Sequence, residues 1–355
     1  MSAITLDNEL VHYEVLGRGR PVILLHGWLG SWRYWVPAMQ HLSMKYRVYA
    51  LDLWGFGDSA RSPTRYHFEA QVDVVSGFMD RMGISKAALV GHDLGAAVAA
   101  HFAVKYPDRV PRLLTASPPL FDLPEHPPTP ALVSTPQPAA PAHPPPSPAG
   151  DGGASLQAAL EQMARAIGEA RLAAGPARPV VNETAPPAPL TLPAPPASAP
   201  TASPGNNTQP DPARPNPLKQ HLTTLNRLEL LKRHVEAGPE QDKLRIEVAK
   251  TDPLAFTASL DAFATVDTLR DLRALTMPAV LVYGEKDTLS PAPAETMLTT
   301  LTDGRGTFGV MALAGTRHFP MLEDGAAFSR LLMAFLEAPD VTKIAQKDLW
   351  VRRVR

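Results

Sequence analysis

Runs of consecutive apolar residues, each closed by a turn rich in glycine, alternate along this chain with segments whose apolar positions recur every three or four residues. Residues 3–16 alternate in part (Ile4, Leu6, Leu10, Val11, Tyr13, Val15), as a short antiparallel pair would. The continuous runs at 22–25, 47–51, 87–90, 110–116, 279–283 and 307–313 predict strands covered on both faces. Helical spacing appears at 31–43, at 68–82 (Phe68, Val72, Val75, Phe78, Met79, Met82), from Ala96 to Ala103, and at 328–336. This alternation predicts an α/β fold with a mostly parallel sheet covered by helices.

The rhythm breaks between 117 and 277. Most of the 39 prolines of the 355-residue chain lie from Pro118 to Pro217, in tracts such as AHPPPSPAG. Sequence of this kind buries too little apolar surface to offset its ordering entropy, so 124–153 and 175–217 are expected to be disordered spacers. Helical faces are predicted at 154–174 and 218–235, then a segment at 240–249 and a helix opened by Asp252 and Pro253. The implied division is a core part at 1–120, an insertion at 121–264, a second core part at 265–340 and a tail at 341–355.

The pattern is densest in chemistry at SKAALVGHDLGAAVAAHFAVKY, residues 85–106, where strand, tight turn and helix follow without a gap. Gly91 and Gly95 flank Asp93 in GHDLG, which resembles the G-x-S-x-G nucleophile elbow of the α/β-hydrolases with aspartate in the serine position. The loop His26-Gly27-Trp28-Leu29-Gly30 after the 22–25 strand resembles that family's oxyanion loop, and Asp52-Leu53-Trp54-Gly55-Phe56-Gly57-Asp58-Ser59 resembles its D-x-x-G-x-G-x-S turn. G-E-x-D-x-x-x-P around Asp287 and G-x-x-H-F-P around His318 resemble its acid and histidine loops. The resemblance covers roughly residues 3–120 and 265–338. It implies the α/β-hydrolase fold, with Asp93, Asp287 and His318 as nucleophile, acid and histidine in the family's chain order. It also implies oxyanion donors at the backbone N–H of Trp28 or Leu29 and of Leu94, and a helical cap in the insertion. Phe256 and Phe263 are candidate pocket walls or plain cap core. Asp122 is a second candidate for the acid. His92 is expected to support the turn, and His12, His41, His67, His101 and the histidines of the insertion to be structural.

A carboxylate nucleophile is already ionised and suits displacement at saturated carbon, giving an alkyl ester that histidine-activated water then hydrolyses. That chemistry resembles the epoxide hydrolase and haloalkane dehalogenase branch. Other positions differ from that branch: no tyrosine lies between Tyr106 and Tyr283, Leu94 follows the nucleophile where dehalogenases carry tryptophan, alanines follow the elbow, and HGWLG lacks proline. Around Asp93 the core resembles a serine esterase. The alternative is therefore an esterase scaffold whose serine is replaced, with little or no esterase activity. A ligand-binding protein that has kept the fold is a third possibility.

Composition removes other classes. With 34 Lys and Arg against 35 Asp and Glu there is no basic surface to expect for nucleic acid. No cysteine is present, and no apolar run approaches the roughly 18 residues of a membrane span. The chain reads as cytoplasmic, acting on a small molecule with no cofactor and no metal, and without nucleic-acid or membrane partners; its oligomeric state is not written in the sequence. Limited proteolysis checks the insertion: cleavage is expected first within 124–153 and 175–217, leaving core fragments associated, whereas tracts as resistant as the core contradict this reading.

Overall fold

The computed structural model describes residues 2–120, 217–223, 226–235 and 237–344, all within one compact unit. Asp122, the 154–174 helix, both proline-rich tracts up to residue 216 and the end of the tail lie outside the described residues.

Among the described residues eight strands form one sheet: β1 Ser2–Leu6, β2 Glu9–Leu16, β3 Arg20–Leu25, β4 Tyr46–Leu51, β5 Ala88–His92, β6 Leu113–Ala116, β7 Ala279–Gly284 and β8 Phe308–Leu313. Their order is β1-β2-β4-β3-β5-β6-β7-β8. The first two join antiparallel, Ile4 opposite Val11, and β2 pairs antiparallel with β4; every later pairing is parallel. The apolar runs are the middle of this sheet, and Val22, Ile23, Leu24 and Leu25 are wholly buried. Register aligns the strand ends that carry the site, Leu25 with Gly91, Gly91 with Thr115 and Ala116 with Val282. Chain direction across the sheet reverses between β3 and β5, and such a switch point opens a crevice beyond the strand ends.

The flanking helices follow the predicted spacing. α1 is Val36–Leu42, α2 Phe68–Arg81 and α3 Leu94–Lys105. The alanines of α3 are buried, so this helix lies close on β5 and β6. Two glycines permit it. A Cβ on Gly91 would collide with the Gly95 carbonyl and sit 2.6 Å from Ala96 Cα, and one on Gly95 would sit 2.5 Å from the His26 carbonyl oxygen.

Within the insertion α4 is Pro217–Thr223, α5 Arg227–His234, α6 Pro239–Lys250 and α7 Pro253–Ala262. The helix expected over 218–235 is thus two, the second opened by Asn226, whose side chain accepts from Glu229 N–H at 2.9 Å. Likewise β6 starts at Leu113 rather than Val110, because Pro111 has no N–H to donate and Val110 N–H closes a turn onto Pro107. After these come α8 Thr268–Ala274, α9 Glu295–Thr302, α10 Pro320–Glu323 and α11 Gly325–Glu337. Neither α8 nor α9 was anticipated from spacing.

Specific polar contacts hold α6 and α7 against the loops after β3 and β4. Buried Glu247 accepts from Ser31 Oγ at 2.6 Å and pairs with Arg33 Nε at 2.6 Å. Asp252 N–H bonds the Gly55 carbonyl at 2.8 Å, and its carboxylate accepts from Tyr66 O–H at 2.8 Å. Trp28 Nε1–H donates to Ser259 Oγ at 2.8 Å. Asp52 ties the D-x-x-G-x-G-x-S turn together, accepting from Trp32 and Asp58 N–H, while Asp58 pairs with Lys250 at 2.8 Å.

Among the described residues no helix is long and apolar enough to cross a membrane. Gly91→Ala should cost about 2 kcal/mol or more, since backbone must move to admit the methyl group. Gly83, at φ +66° with open space around it, should cost only about 1 kcal/mol as alanine; thermal unfolding of the two variants measures the difference.

Candidate active site

The site begins with backbone strain. Asp93 has φ 55° and ψ −118°, a conformation that L-residues rarely adopt. It is held from both sides: Asp93 N–H bonds the Ala116 carbonyl at 3.0 Å, and its own carbonyl accepts from Ala96 and Ala97 N–H at the start of α3. Asp93 stands at the N-cap of α3, yet its side chain makes no cap bond. The carboxylate instead points across the sheet end, where Oδ2 accepts from Trp28 N–H at 3.1 Å and lies 3.6 Å from His318 Nε2. Oδ1 is buried without a hydrogen-bond partner.

The loop after β3 is fixed peptide by peptide. Leu53 N–H donates to His26 Nε2 at 3.0 Å, so His26 Nδ1 carries the proton and gives it to the Gly27 carbonyl at 2.9 Å. That carbonyl and Trp28 N–H belong to one peptide plane, which is therefore held on both edges. Gly27 must be glycine, because a Cβ would stand 2.5 Å from Asp93 Cβ. Of the expected donors, Trp28 N–H meets the Asp93 carboxylate; Leu29 is buried in the same loop, and Leu94 is buried as the first residue of α3.

Asp287 and His318 come from the loops after β7 and β8. These loops are stitched by Lys286 N–H to the Thr316 carbonyl at 2.8 Å and Gly315 N–H to Glu285 Oε2 at 2.8 Å. A Cβ on Gly284 would run into the Arg317 carbonyl, so the close approach requires glycine there. Asp287 Oδ1 accepts from Leu289 and Ser290 N–H at 2.8 and 3.0 Å, which leaves Oδ2 to His318 Nδ1 at 2.9 Å. Asp93, His318 and Asp287 thus form a continuous line, all three at most 5% exposed.

Electrostatics follow from that line. Burial would strip the His318 proton, but the Asp287 and Asp93 carboxylates on either side hold it and push its pKa up to about 10. Burial would raise Asp287; the His318 imidazolium and the Ser290 and Leu289 amides outweigh it and hold the carboxyl at about 2. For Asp93 burial prevails and raises the pKa from its ordinary value, against the pull of His318 and Trp28 N–H.

Phe263 is buried edge-on to the Trp28 ring, centroids 5.4 Å apart, and also meets Phe68. Phe256 lies instead under the Arg227 guanidinium at 5.9 Å, within the insertion. His234, the last residue of α5, was given only a structural role by the sequence reading. It is buried with its ring centroid 6.3 Å from that of His318 and Nδ1 3.4 Å from Thr288 Oγ1. Tyr34, Ser259 and Glu247 also escaped notice, since no motif marks them and their partners are remote in sequence. Among the described residues His12, Asp52 and Asp58 bring ligand-type atoms within 4.8 Å of one another. Their oxygens are engaged: Asp52 Oδ2 accepts from His12 Nδ1 and Asp58 N–H, and Asp58 pairs with Lys250. The cluster clasps loops.

A family model for the alpha/beta hydrolase fold matches residues 20–297. The chain is 35% identical over 108 residues to a soluble epoxide hydrolase of Corynebacterium sp. (strain C12), 30% of this chain and 38% of that protein. It is 39% identical over 117 residues to epoxide hydrolase 3 of Siraitia grosvenorii, 32% of this chain and 37% of that protein. The matches thus span under two fifths of the length of these curated relatives. At the level of fold, a thermophilic esterase from Thermogutta terrifontis superposes with a TM-score of 0.59 at 20% identity, over 97% of this chain and 100% of that one. With the sheet order, the elbow and the matched span in agreement, the chain belongs to the alpha/beta hydrolase fold family.

Proposed function

We propose that the chain is a hydrolase in which Asp93 attacks a small, largely apolar electrophile, an epoxide or organohalide, and that His318 then activates the water that releases the product. The observation that carries this reading is the Asp93 carboxylate itself. It is buried at a strained elbow, with Oδ2 on the Trp28 amide and Oδ1 without a partner. Oδ1 is then the attacking atom, and the imidazolium and the amide favour the ionised form that attack requires. The relatives named epoxide hydrolases support the same branch.

The chemistry balances without a tyrosine in the insertion. Attack by Oδ1 on an epoxide carbon breaks the C–O bond, and the opened oxygen takes a proton from the His318 imidazolium. The ester has no charge on Asp93, so one of the two carboxylates that held the His318 proton is gone and the neutral ring is a base. Water adds to Asp93 Cγ as His318 takes its proton, and negative charge forms on the oxygen beside Trp28 N–H; on collapse the His318 imidazolium protonates the leaving oxygen, releasing the diol, and the new carboxyl group returns its proton to His318, restoring the carboxylate and imidazolium. Asp287 keeps the ring oriented throughout. Among the described residues α4 to α7 act as the cap, with Phe263 just after α7 in the wall beside Trp28; a cap that excludes water suits a reactive ester.

The second reading, an esterase scaffold with aspartate in place of serine, is favoured by the surroundings of the elbow: Leu94 and the alanines of α3 continue a serine-esterase-like pattern. Asp93→Ser decides it, for that variant would then hydrolyse short nitrophenyl esters where the parent does not.

Repeated turnover in heavy-oxygen water should place label in the Asp93 carboxylate, and an unlabelled chain after turnover refutes the covalent route. Asp93→Asn should lower kcat by about 10³-fold or more. With an organohalide, whose departure needs no proton, His318→Gln should still be alkylated and accumulate the ester as a mass increment on the elbow peptide.

Charge also sets the response to pH. Asp287 is held at about 2, below the ordinary carboxylate value, so its contribution to stability is present above that value and lost as pH falls toward 2. His318 is raised to about 10, so its contribution is present below its ordinary value and lost as pH climbs toward 10. Asp287→Asn should therefore destabilise by on the order of 2 kcal/mol at pH 7 and much less near pH 2, as denaturant melts at the two pH values will report.

A further inference from the structure

The His26-Gly27 and His318 loops are joined through a buried chain of side chains that the chemistry above does not use. Gly27 N–H donates to Tyr34 Oη at 2.6 Å, Tyr34 Oη lies 2.9 Å from His92 Nδ1, and His92 Nε2 lies 2.8 Å from the His318 carbonyl oxygen. Tyr34 is 3% exposed and His92 wholly buried.

Elementary hydrogen-bond chemistry fixes every proton in this chain. The His318 carbonyl only accepts, so His92 Nε2 carries the hydrogen. Burial, with the His318 charge close by, keeps the His92 ring well below its ordinary pKa, so it is neutral and Nδ1 is a bare acceptor. Tyr34 must therefore donate its hydroxyl hydrogen to His92, and its lone pair is what receives Gly27 N–H. Burial pushes the Tyr34 hydroxyl well above its ordinary value, which keeps that hydrogen in place. The chain runs one way, from Gly27 through Tyr34 and His92 to His318. Around it the rings pack edge-on, Tyr34 against His92 at 5.5 Å and against Phe319 at 5.9 Å, so neither side chain has room to turn away.

We infer that Tyr34 and His92 are positioning residues that set the oxyanion amide and the catalytic histidine relative to each other through this relay. Its two ends are one residue from Trp28 N–H and on the backbone of His318 itself, while its middle, His92, precedes the nucleophile. One rigid connection thus spans all three loops that meet at Asp93. The oxyanion amide acts most strongly on the charge that forms when water adds to the ester, so loss of the relay weighs more on ester hydrolysis than on attack. That kinetic consequence rests on the Asp93 ester reading; the proton positions do not.

Two measurements test it. In ¹⁵N-histidine-labelled parent protein, His92, assigned by its disappearance in a variant, should be the neutral Nε2–H tautomer; an Nδ1–H tautomer or a charged ring overturns the relay. In rapid-quench kinetics with an organohalide, Tyr34→Phe should slow ester hydrolysis about 10- to 100-fold and attack by less than about 3-fold, so that ester accumulates. His92→Leu, which removes both the donor to the His318 carbonyl and the acceptor for Tyr34, should behave alike. Equal slowing of both steps, no slowing, or a parent-like His92→Leu beside an impaired Tyr34→Phe overturns the assignment. If the parent forms no Asp93 ester at all, the functional reading fails, and the tautomer alone decides the relay.

Discussion

The backbone of Asp93 is the constraint on which the rest of the site depends. A non-glycine residue at φ 55° and ψ −118° persists only where its surroundings overdetermine it. Here β6 grips its N–H, the first turn of α3 grips its carbonyl, and glycines at 91 and 95 let strand and helix close upon it. Those requirements explain the small-residue face of α3 and the packing of that helix on β5 and β6. They also turn the carboxylate out of the N-cap position, where an aspartate would otherwise bond its own helix, and toward the ends of the neighbouring strands.

Around that fixed point the charges are arranged in series. His318 stands between two buried carboxylates: Asp287 accepts two backbone amides besides His318, whereas Asp93 accepts one, from Trp28. Asp287 thereby stays an anion until the pH falls to about 2. Asp93, with one oxygen unbonded, is the member whose charge is available to change. The unequal bonding of two chemically identical side chains separates their roles.

The fold was legible in the sequence because each central strand is an apolar run closed by a glycine turn, and because Asp93, Asp287 and His318 each sit at the end of such a run. Trp28 was legible by its place in the loop after β3. Local rules failed where a single residue intervened. Pro111 delays β6, and Asn226 starts a new helix inside a stretch whose leucine spacing reads as one. Tyr34 with His92, Glu247 with Ser31 and Ser259 with Trp28 were not legible. Their partners are 58, 216 and 231 residues away along the chain, and periodicity carries no information at that separation. His234 was hidden for the same reason, since only folding brings the end of α5 beside His318.

Trp28 has two hydrogen-bonding hydrogens, and they face different parts of the molecule. The amide serves Asp93 and the indole serves Ser259 on α7. A displacement of α7 large enough to uncover the oxyanion loop has to break the indole bond or carry the Trp28 ring with it. Because the amide and the ring share one residue, the seating of α7 and the contact between the Trp28 amide and the Asp93 carboxylate are not independent variables in this protein: a shift of the helix is transmitted to the carboxylate through a single side chain.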